Sequence, residues 1–218
     1  HSVGHARANG VSFLHLRWNR GKRSLALDLR SPEGVEVFLD LVRDASGQYP
    51  LLAPMSAIAG RLAIERGIAL LGHAPERVLV LGAGHAGASA AQAAADCGAE
   101  VTILCRHRES VAEHRLRLGG RFEVGVADAL AVERCALAAD LVIGAVFLPG
   151  KPTPKLLPRS LVKRMRPGAV LVDVSIDAGG VAGTSRPTTH AEPSYVEEGV
   201  VHCCIANLPA AVPREASE

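Results

Sequence analysis

A short apolar stretch that runs directly into a glycine-rich turn constrains the fold of this chain most. Residues 78–81 have the apolar pattern of a buried β-strand, and Gly82, Gly84 and Gly87 follow with the spacing G-x-G-x-x-G. An alanine-rich helical stretch at 88–97 and a second apolar stretch at 101–104 come next. This strand–turn–helix–strand context is typical of domains that bind the pyrophosphate of a dinucleotide. A tight turn without a ligand is the alternative interpretation.

The three glycines predict three different structural roles. Gly82 allows the chain to turn tightly, Gly84 allows a pyrophosphate to approach the backbone, and Gly87 allows the helix to pack closely on the strand. The first turn of the helix offers free N–H groups and a partial positive charge to phosphate oxygens. We therefore expect the whole turn to contact the dinucleotide, including His85 and Ala86, with the imidazole of His85 pointing away from the phosphates.

Apolar strand patterns continue to alternate with helical patterns along the rest of the chain. Further strands are predicted near 122–126, 141–146, 169–173 and 200–205, and helices are predicted from Pro54 and Ser56 to about residue 71, at 109–118, at 132–138 and at 157–164. This order predicts an α/β fold with a doubly wound, mainly parallel, Rossmann-like sheet. Ligands of such sheets lie beyond the carboxyl ends of the strands.

Composition excludes several classes of function. The chain has 218 residues, which is enough for one full domain or one domain and a fragment. The net charge is +2 and aromatic residues make up 3%, without a basic stripe interleaved with aromatics, so we expect no nucleic-acid partner. No apolar run is long enough to cross a bilayer, and we expect no membrane partner. The five cysteines form no C-x-x-C pair, which predicts no metal site and favours the cytoplasm.

The end of the second strand bears on the choice between NAD and NADP. NAD-specific domains place an acidic residue there, about twenty residues beyond the glycine turn, to bind the ribose hydroxyls. This chain has Cys105 at that position, followed by Arg106, Arg108 and Ser110, whose guanidinium and hydroxyl groups suit a 2′-phosphate. We therefore favour NADP(H) over NAD(H), which stays possible. A solvated basic loop after a neutral cysteine is the alternative.

Motifs at the strand ends resemble the alanine dehydrogenases over about residues 45–213, and the related proton-pumping transhydrogenases share the same fold. The matching motifs are 50–61 (PLLAPMSAIAGR), 81–87 (LGAGHAG), 139–145 (ADLVIGA), 148–150 (LPG), 166–173 (RPGAVLVD), 176–177 (ID), 179–180 (GG), 185–189 (SRPTT) and 206–213 (ANLPAAVP). The last motif is more similar to the alanine dehydrogenases. In that family the position of Cys105 holds an aspartate, whose carboxylate would repel a 2′-phosphate.

The resemblance implies an oxidoreductase that transfers hydride between a nicotinamide dinucleotide and an amino, imino or keto acid. It implies that Ser56 touches the cofactor phosphates and that Asp177 lies at the reaction centre. It places Val146, Phe147, Ile205 and Asn207 along the nicotinamide side of the site, and Ala145, Ile176 and Leu208 are further residues expected to bind the cofactor. A turn or capping aspartate before Gly179 is the alternative for Asp177. Asp173 ends a buried strand, and we expect it to cap backbone amides.

The N-terminal segment departs from this pattern. In the alanine dehydrogenases the substrate-binding arginine and lysine and the catalytic histidine belong to an N-terminal domain, which we expect to be missing here. Residues 18–29 and 31–34 instead resemble the class III CoA-transferases, with a strand predicted at 25–29 and a helix at 35–42. We predict a division into an N-terminal segment, 1–48, and a dinucleotide-binding domain, 49–218, with a seam near 45–48. No CoA-transfer activity is inferred from so short a match.

Three functions follow as hypotheses. The first is an alanine-dehydrogenase-like oxidoreductase with a small-molecule substrate, which we expect to be a homo-oligomer. The second is a catalytically incomplete NAD(P)-binding module, and the third is an NADPH-dependent imine or carbonyl reductase with its site at an oligomer interface. A general acid or base beside the nicotinamide would discriminate between them. The histidines are each interpreted as structural or solvated, Cys203 and Cys204 as core packing, and Arg186 as an anion site or a surface residue.

Overall fold

The computed structural model describes residues 7–8, 11–12, 52–213 and 215 of the chain. The chain divides into two compact units, residues 1–49 and residues 50–218. In the first unit, β1 (Arg7–Ala8) pairs with β2 (Val11–Ser12) in an antiparallel ladder. The predicted strand at 25–29, the helix at 35–42 and the seam at 45–48 lie outside the described residues.

The second unit alternates strands and helices, as the sequence predicts. Its strands are β3 (Arg77–Leu81), β4 (Glu100–Cys105), β5 (Glu123–Val126), β6 (Leu141–Gly144), β7 (Val170–Asp173), β8 (Tyr195–Glu197) and β9 (Val200–Cys203). Its helices are α1 (Leu52–Leu71), α2 (His85–Asp96), α3 (Ser110–Arg117), α4 (Ala129–Ala138) and α5 (Arg159–Val162), with 3₁₀ turns at Val174–Ala178 and Leu208–Ala211. A bilayer-spanning helix, both long and apolar, does not occur among the residues described.

The seven strands form one sheet in the order β5-β4-β3-β6-β7-β9-β8. Neighbouring strands are parallel everywhere except for the pair β8 and β9. The order runs outward in both directions from β3, which confirms the doubly wound, mainly parallel sheet. The strand order therefore reverses next to the glycine turn, at the point where such sheets bind their ligands. The sequence did not predict β8, because three half-exposed residues at a sheet edge carry little periodicity.

Apolar side chains cover both faces of the sheet. One core cluster joins α1 and α2 to the sheet, and the other joins α4 and the α5 region to the opposite face. The two helices of the first face approach closely at Gly60, where a Cβ atom would lie 2.0 Å from the carbonyl oxygen of Ala86. This contact fixes α1 against the first turn of α2, next to the glycine-rich turn.

Several elements are shorter than the sequence predicts, and tertiary hydrogen bonds account for three of these differences. The amide of Val146 bonds the hydroxyl of Ser175 instead of extending β6. Leu157 forms a parallel bridge with Ala182 ahead of Pro158, so α5 starts at Arg159. Ile205 leaves β9 and forms a bridge with Thr188. Each change converts a predicted strand or helix end into a loop at the edge of the sheet where the site lies.

Candidate functional site

The glycine-rich turn has the geometry that its motif requires. Gly82 has a φ of +110°, and a Cβ atom there would lie 2.4 Å from the carbonyl oxygen of Ala145. A Cβ atom on Gly87 would lie 1.8 Å from the carbonyl oxygen of Gly82, so this glycine permits the close contact of α2 with β3. A Cβ atom on Gly84 would meet nothing within 4 Å. Gly84 therefore borders open space, and the other two glycines are required by packing.

The first turn of α2 faces the same open space. Gly84 is the residue before the helix, in an extended conformation, and it has no side chain to cap the amides that follow. Ala88 is the first residue whose amide bonds back to Gly84, at 2.9 Å. The amides of His85, Ala86 and Gly87 thus precede the intrahelical ladder, and amides of this kind bind anions. The imidazole of His85 is exposed.

Ser56 lies on α1 near this turn. It is half-buried and stands four residues before Gly60, on the face of α1 that meets the carbonyl of Ala86. The neighbouring carbonyl of Ala57 accepts a hydrogen bond of 2.7 Å from the hydroxyl of Ser89 on α2. These two contacts hold the start of α1 beside the glycine turn, where the resemblance expects a phosphate contact from Ser56.

The carboxyl end of β4 adjoins the turn on one side. The amide of Gly82 donates to the carbonyl of Leu104 at 2.8 Å, which places Cys105 next to the turn. The thiol of Cys105 is buried and lies 3.6 Å from the carbonyl oxygen of His107, and burial raises its pKa. Arg106 and Arg108 are exposed.

Loop residues after β4 are open to solvent. His107 lies 3.4 Å from a carboxylate oxygen of Glu109, and neither Arg106 nor Arg108 forms an ion pair with any described residue. Ser110 is half-buried and begins α3. This side of the turn therefore presents the guanidinium groups of Arg106 and Arg108, which pair with no carboxylate of the described residues.

On the other side of β3, the ends of β6 and β7 are joined through Asp173. The Asp173 carboxylate is 1% exposed and accepts hydrogen bonds from the amide of Ser175 at 3.1 Å, the amide of Val181 at 2.7 Å and the hydroxyl of Ser185 at 2.6 Å. The expectation that Asp173 caps backbone amides is confirmed. Burial raises the pKa of Asp173, and the hydrogen bonds it accepts act in the opposite direction.

Two glycines make room for this carboxylate. A Cβ atom on Gly144 would lie 2.7 Å from Oδ1 of Asp173, and one on Gly180 would lie 2.6 Å from Oδ2. Both glycines belong to the motifs that resemble the alanine dehydrogenases. Their absent side chains allow one buried aspartate to fix the loops after β6 and β7.

Asp177 lies in the 3₁₀ turn that follows β7 and is exposed. Its neighbour Ile176 is buried, and within the described part of the chain the Asp177 carboxylate forms no hydrogen bond or ion pair. The ammonium group of Lys155 donates to the carbonyl oxygen of Gly179, and to that of Gly180 at 2.9 Å. Lys155 thus anchors the backbone that follows the 3₁₀ turn, and the exposed Asp177 side chain is accessible to a ligand.

The remaining predicted positions line the same edge of the sheet. Ala145 is buried against Gly82, Val146 is half-buried, and Phe147 is 58% exposed. Ile205 and Leu208 are buried, and between them Asn207 is exposed with a φ of +51°. All of these residues follow the carboxyl ends of β6 and β9, so the structure brings them to the edge that carries the glycine turn.

A second polar network surrounds His202, which is fully buried. Its Nε2 lies 2.8 Å from the hydroxyl of Thr184 and its Nδ1 lies 2.9 Å from the carbonyl oxygen of Val200. The ring of Tyr195 stacks on it at 5.0 Å and carries the guanidinium of Arg186 at 3.7 Å from its centroid. Burial lowers the pKa of His202, and its two buried hydrogen bonds give the imidazole a structural role. Cys203 and Cys204 are buried core residues.

Sequence reasoning missed several residues that shape the site. Ser175 and Lys155 act through hydrogen bonds to the backbone of distant loops, and Tyr195 holds Arg186 from an edge strand. Arg117 donates a hydrogen bond to the carbonyl oxygen of Ala83 inside the glycine turn. No local pattern marks these contacts. In the described ranges, no group of three or more histidine, cysteine or acidic side chains is arranged to hold a metal ion.

Comparison with known proteins gives two family matches. The model of the alanine dehydrogenase/PNT C-terminal domain matches residues 56–218, and the model of CoA-transferase family III matches residues 2–46. The second match agrees with the resemblance noted for the N-terminal segment.

Individual relatives agree with the larger match. The alanine dehydrogenase of Halomonas elongata is 40% identical over 95% of this chain and 59% of its own length. That of Mycolicibacterium smegmatis is 44% identical over 80% of this chain and 51% of its own length. The chain therefore spans between half and three-fifths of the length of these relatives.

Solved structures show the same fold. An L-alanine dehydrogenase structure superposes with a TM-score of 0.75 at 36% identity, covering 86% of this chain and 59% of that chain. A transhydrogenase from Sinorhizobium meliloti superposes with a TM-score of 0.68 at 24% identity, over 77% and 52% of the two chains, which supports the fold. Since the family model covers most of the chain, the protein belongs to the alanine dehydrogenase/PNT family, of which it carries the C-terminal domain.

Proposed function

We propose that residues 52–213 bind a nicotinamide dinucleotide across the end of β3. The observation that carries this proposal is the open space at Gly84, where a Cβ atom would meet nothing within 4 Å beside the uncapped first turn of α2. A pyrophosphate fits this position, because backbone amides and the positive end of a helix face it without a side chain in between. The chain's family membership supports the same choice of ligand.

The proposed reaction is hydride transfer between the bound nicotinamide and a small amino, imino or keto acid. The nicotinamide supplies the hydride chemistry when it is bound. The chain's own residues bind and orient it. Gly82 and Ala145 bring the ends of β3 and β6 into contact, and the Asp173 hydrogen bonds fix the loop that carries Asp177. Asp177 then lies exposed on a rigid turn, where its carboxylate orients the reacting groups.

The predicted binding residues divide between the two halves of the dinucleotide. We assign Ser56 and the turn from Gly82 to Gly87 to the phosphates, because α1 and the turn are in contact there. We assign Cys105, Arg106, Arg108 and Ser110 to the adenosine end, since they follow β4. The residues assigned to the nicotinamide end are Ala145, Val146, Phe147, Ile176, Ile205, Asn207 and Leu208.

We further propose that the cofactor is NADP(H). Two features support this choice over NAD(H). The position that holds an acid in NAD-specific domains is Cys105, whose buried thiol repels no phosphate, and the guanidinium groups of Arg106 and Arg108 are exposed nearby. Dissociation constants for both reduced cofactors, in the wild type and in Arg106→Ala, test the assignment. NADH binding as tightly as NADPH would overturn it.

The substrate side of the site requires groups from outside residues 52–213. The family resemblance assigns the substrate-binding and acid–base residues to a separate domain. We propose a homo-oligomer, in which a neighbouring copy closes over Asp177. The five cysteines are all unpaired, and the compartment that fits this best is the cytoplasm.

An activity assay tests the proposed reaction. We expect this chain to oxidise L-alanine well below ordinary dehydrogenase rates of about 1–1000 per second, because the family resemblance assigns the substrate-binding residues to a separate domain that residues 52–213 do not contain. The assay also monitors NADPH oxidation with pyruvate plus ammonia and with a panel of cyclic imines. Asp177→Asn should reduce any turnover far more than it reduces cofactor binding. Cofactor binding without turnover on any substrate would instead favour a catalytically incomplete binding module.

A further inference from the structure

Among the described residues, some arginines pair with carboxylates and others bind neutral groups. Four arginines among the described residues form ion pairs with glutamates. The pairs are Arg61 with Glu65 and Glu215, Arg77 with Glu100, Arg159 with Glu197 and Glu198, and Arg164 with Glu133. Their positive charges are therefore compensated within the protein.

Arginines of α3 and the segment after it bind neutral groups instead. Arg115 donates to the carbonyl oxygen of Val124 at 3.1 Å, and Arg121 donates to the side-chain oxygen of Gln92 at 3.1 Å. Arg117 donates to the carbonyl oxygen of Ala83. A neutral acceptor orients a guanidinium without cancelling its charge.

Arg117 differs from the other two because its partner belongs to the glycine turn itself. Ala83 lies between Gly82, whose amide bonds to the end of β4, and Gly84, which borders the open space. The opposite flank of the turn contacts Ala145 at the end of β6. Arg117 reaches the turn from α3, the helix that follows β4. Its guanidinium is thus beside the adenosine end of the proposed site rather than the nicotinamide end.

His114 supports this position of Arg117. Its Nδ1 lies 3.3 Å from a guanidinium nitrogen of Arg117. Burial, and then the charge of Arg117, lowers the pKa of His114, which favours the unprotonated imidazole beside the guanidinium. Glu113 and Glu109, the acids of this segment, form no ion pair with Arg117. The guanidinium is therefore oriented by Ala83 and His114 without an ion pair to a carboxylate of the described residues.

We propose that Arg117 is a specificity-determining residue, whose guanidinium binds the 2′-phosphate on the adenosine ribose of NADP(H). This inference rests on the proposed dinucleotide site. The inference adds Arg117 to the proposed phosphate-binding residues Arg106 and Arg108. Arg117 differs from these two in how its side chain is oriented before the ligand binds. Those two side chains must be ordered by the ligand, whereas Arg117 is already oriented by Ala83 and His114. A guanidinium group that is already oriented loses less conformational entropy when it binds a phosphate.

Calorimetric titrations of the full chain with NADPH and NADH test this role. Arg117→Ala should weaken NADPH binding by about 10- to 100-fold, the usual effect of losing a charge-assisted hydrogen bond. NADH binding should change less than about twofold. Arg117→Lys keeps the charge without the planar fork, and we expect an intermediate loss for NADPH. The matched control is Arg121→Ala, which removes the same charge beside Gln92 and should leave both affinities nearly unchanged.

The outcomes separate this inference from the proposed function. If Arg117→Ala weakens both cofactors equally, Arg117 only shapes the turn and the proposal is wrong. It is also wrong if neither affinity changes, or if the wild type binds NADH as tightly as NADPH. In each of these cases dinucleotide binding itself survives. The proposed function fails only if the wild type binds neither cofactor.

Discussion

The two flanks of the glycine turn are built in opposite ways. On the nicotinamide side, the loops after β6 and β7 are tied together by Asp173, which is 1% exposed and accepts three hydrogen bonds. On the adenosine side, the loop after β4 is exposed and rich in arginine, and its guanidinium groups have neutral partners or none among the described residues. On the nicotinamide side, the buried polar groups are hydrogen-bonded to one another, and we call this the rigid flank. On the adenosine side, exposed guanidinium groups carry positive charge that can bind an anionic ligand.

This difference follows from what each flank must do. A site of hydride transfer needs its groups held to within a fraction of an ångström, and buried hydrogen bonds supply that rigidity. The adenosine end contributes affinity and the choice between cofactors, for which exposed cations suffice. Substitutions of the buried hydrogen-bonded groups on the nicotinamide side should therefore act on folding stability, and those of the exposed arginines on the adenosine side should act on binding.

The largest effect is expected where the two flanks meet, from a matched pair of glycine substitutions. Gly87→Ala places a Cβ atom 1.8 Å from the backbone oxygen of Gly82, and the helix must shift to accommodate it. We expect a loss of about 4 kcal/mol or more in the free energy of unfolding. Gly84→Ala meets nothing within 4 Å and should change stability by less than about 0.5 kcal/mol. Denaturant titrations measure both, and similar losses would contradict the account.

The next largest effect is expected from removing the buried carboxylate of the rigid flank. Asp173→Ala leaves the amides of Ser175 and Val181 and the hydroxyl of Ser185 without their acceptor. We expect a cost of about 3 kcal/mol or more in the free energy of unfolding. Asp177→Ala is the control, because its exposed carboxylate makes no such bonds. Equal shifts in Tm for the two variants would show that Asp173 does not hold this flank together.

A smaller effect concerns the pH dependence of stability. Burial lowers the pKa of His202 below its ordinary value of 6.5. At a pH just below 6.5 the imidazole therefore binds a proton more readily in the unfolded chain than in the folded chain. The free energy of unfolding should therefore fall as the pH drops below about 6.5, by at most about 1.4 kcal/mol per pH unit. His202→Gln keeps hydrogen-bonding groups without titrating in this range and should flatten this part of the curve. An unchanged slope in the variant would be evidence against a buried, neutral His202.

The smallest predicted effect belongs to the exposed flank. If its arginines bind a 2′-phosphate, raising the salt concentration from about 0.05 to 0.5 M should screen them and narrow the gap between the NADPH and NADH affinities. NADH lacks this additional phosphate, so its binding should be less sensitive to salt. A salt dependence that is the same for both cofactors would show that the arginines do not contact the additional phosphate.

Sequence patterns predicted the sheet well, because β3, β4 and β6 are continuous apolar runs and Gly82, Gly84 and Gly87 have distinct steric roles. The cap at Asp173 was also predictable from its place at the end of a buried strand. The hydrogen bonds from Arg117 to Ala83, from Lys155 to Gly180 and from Val146 to Ser175 were not. Such contacts join residues about 20 to 35 positions apart through backbone atoms, which carry no residue-specific signal. The edge strand β8 was missed because its three residues are only partly buried.

The central claim, that the glycine turn holds a dinucleotide pyrophosphate, is tested most directly by calorimetric titration of the wild type and Gly84→Val with NADPH and NADH. The added side chain would project into the open space beside the first turn of α2, where a Cβ atom meets no protein atom within 4 Å. We predict that the variant keeps the wild-type Tm and loses at least about tenfold in affinity for both cofactors. Equal affinities for the wild type and Gly84→Val would contradict the account.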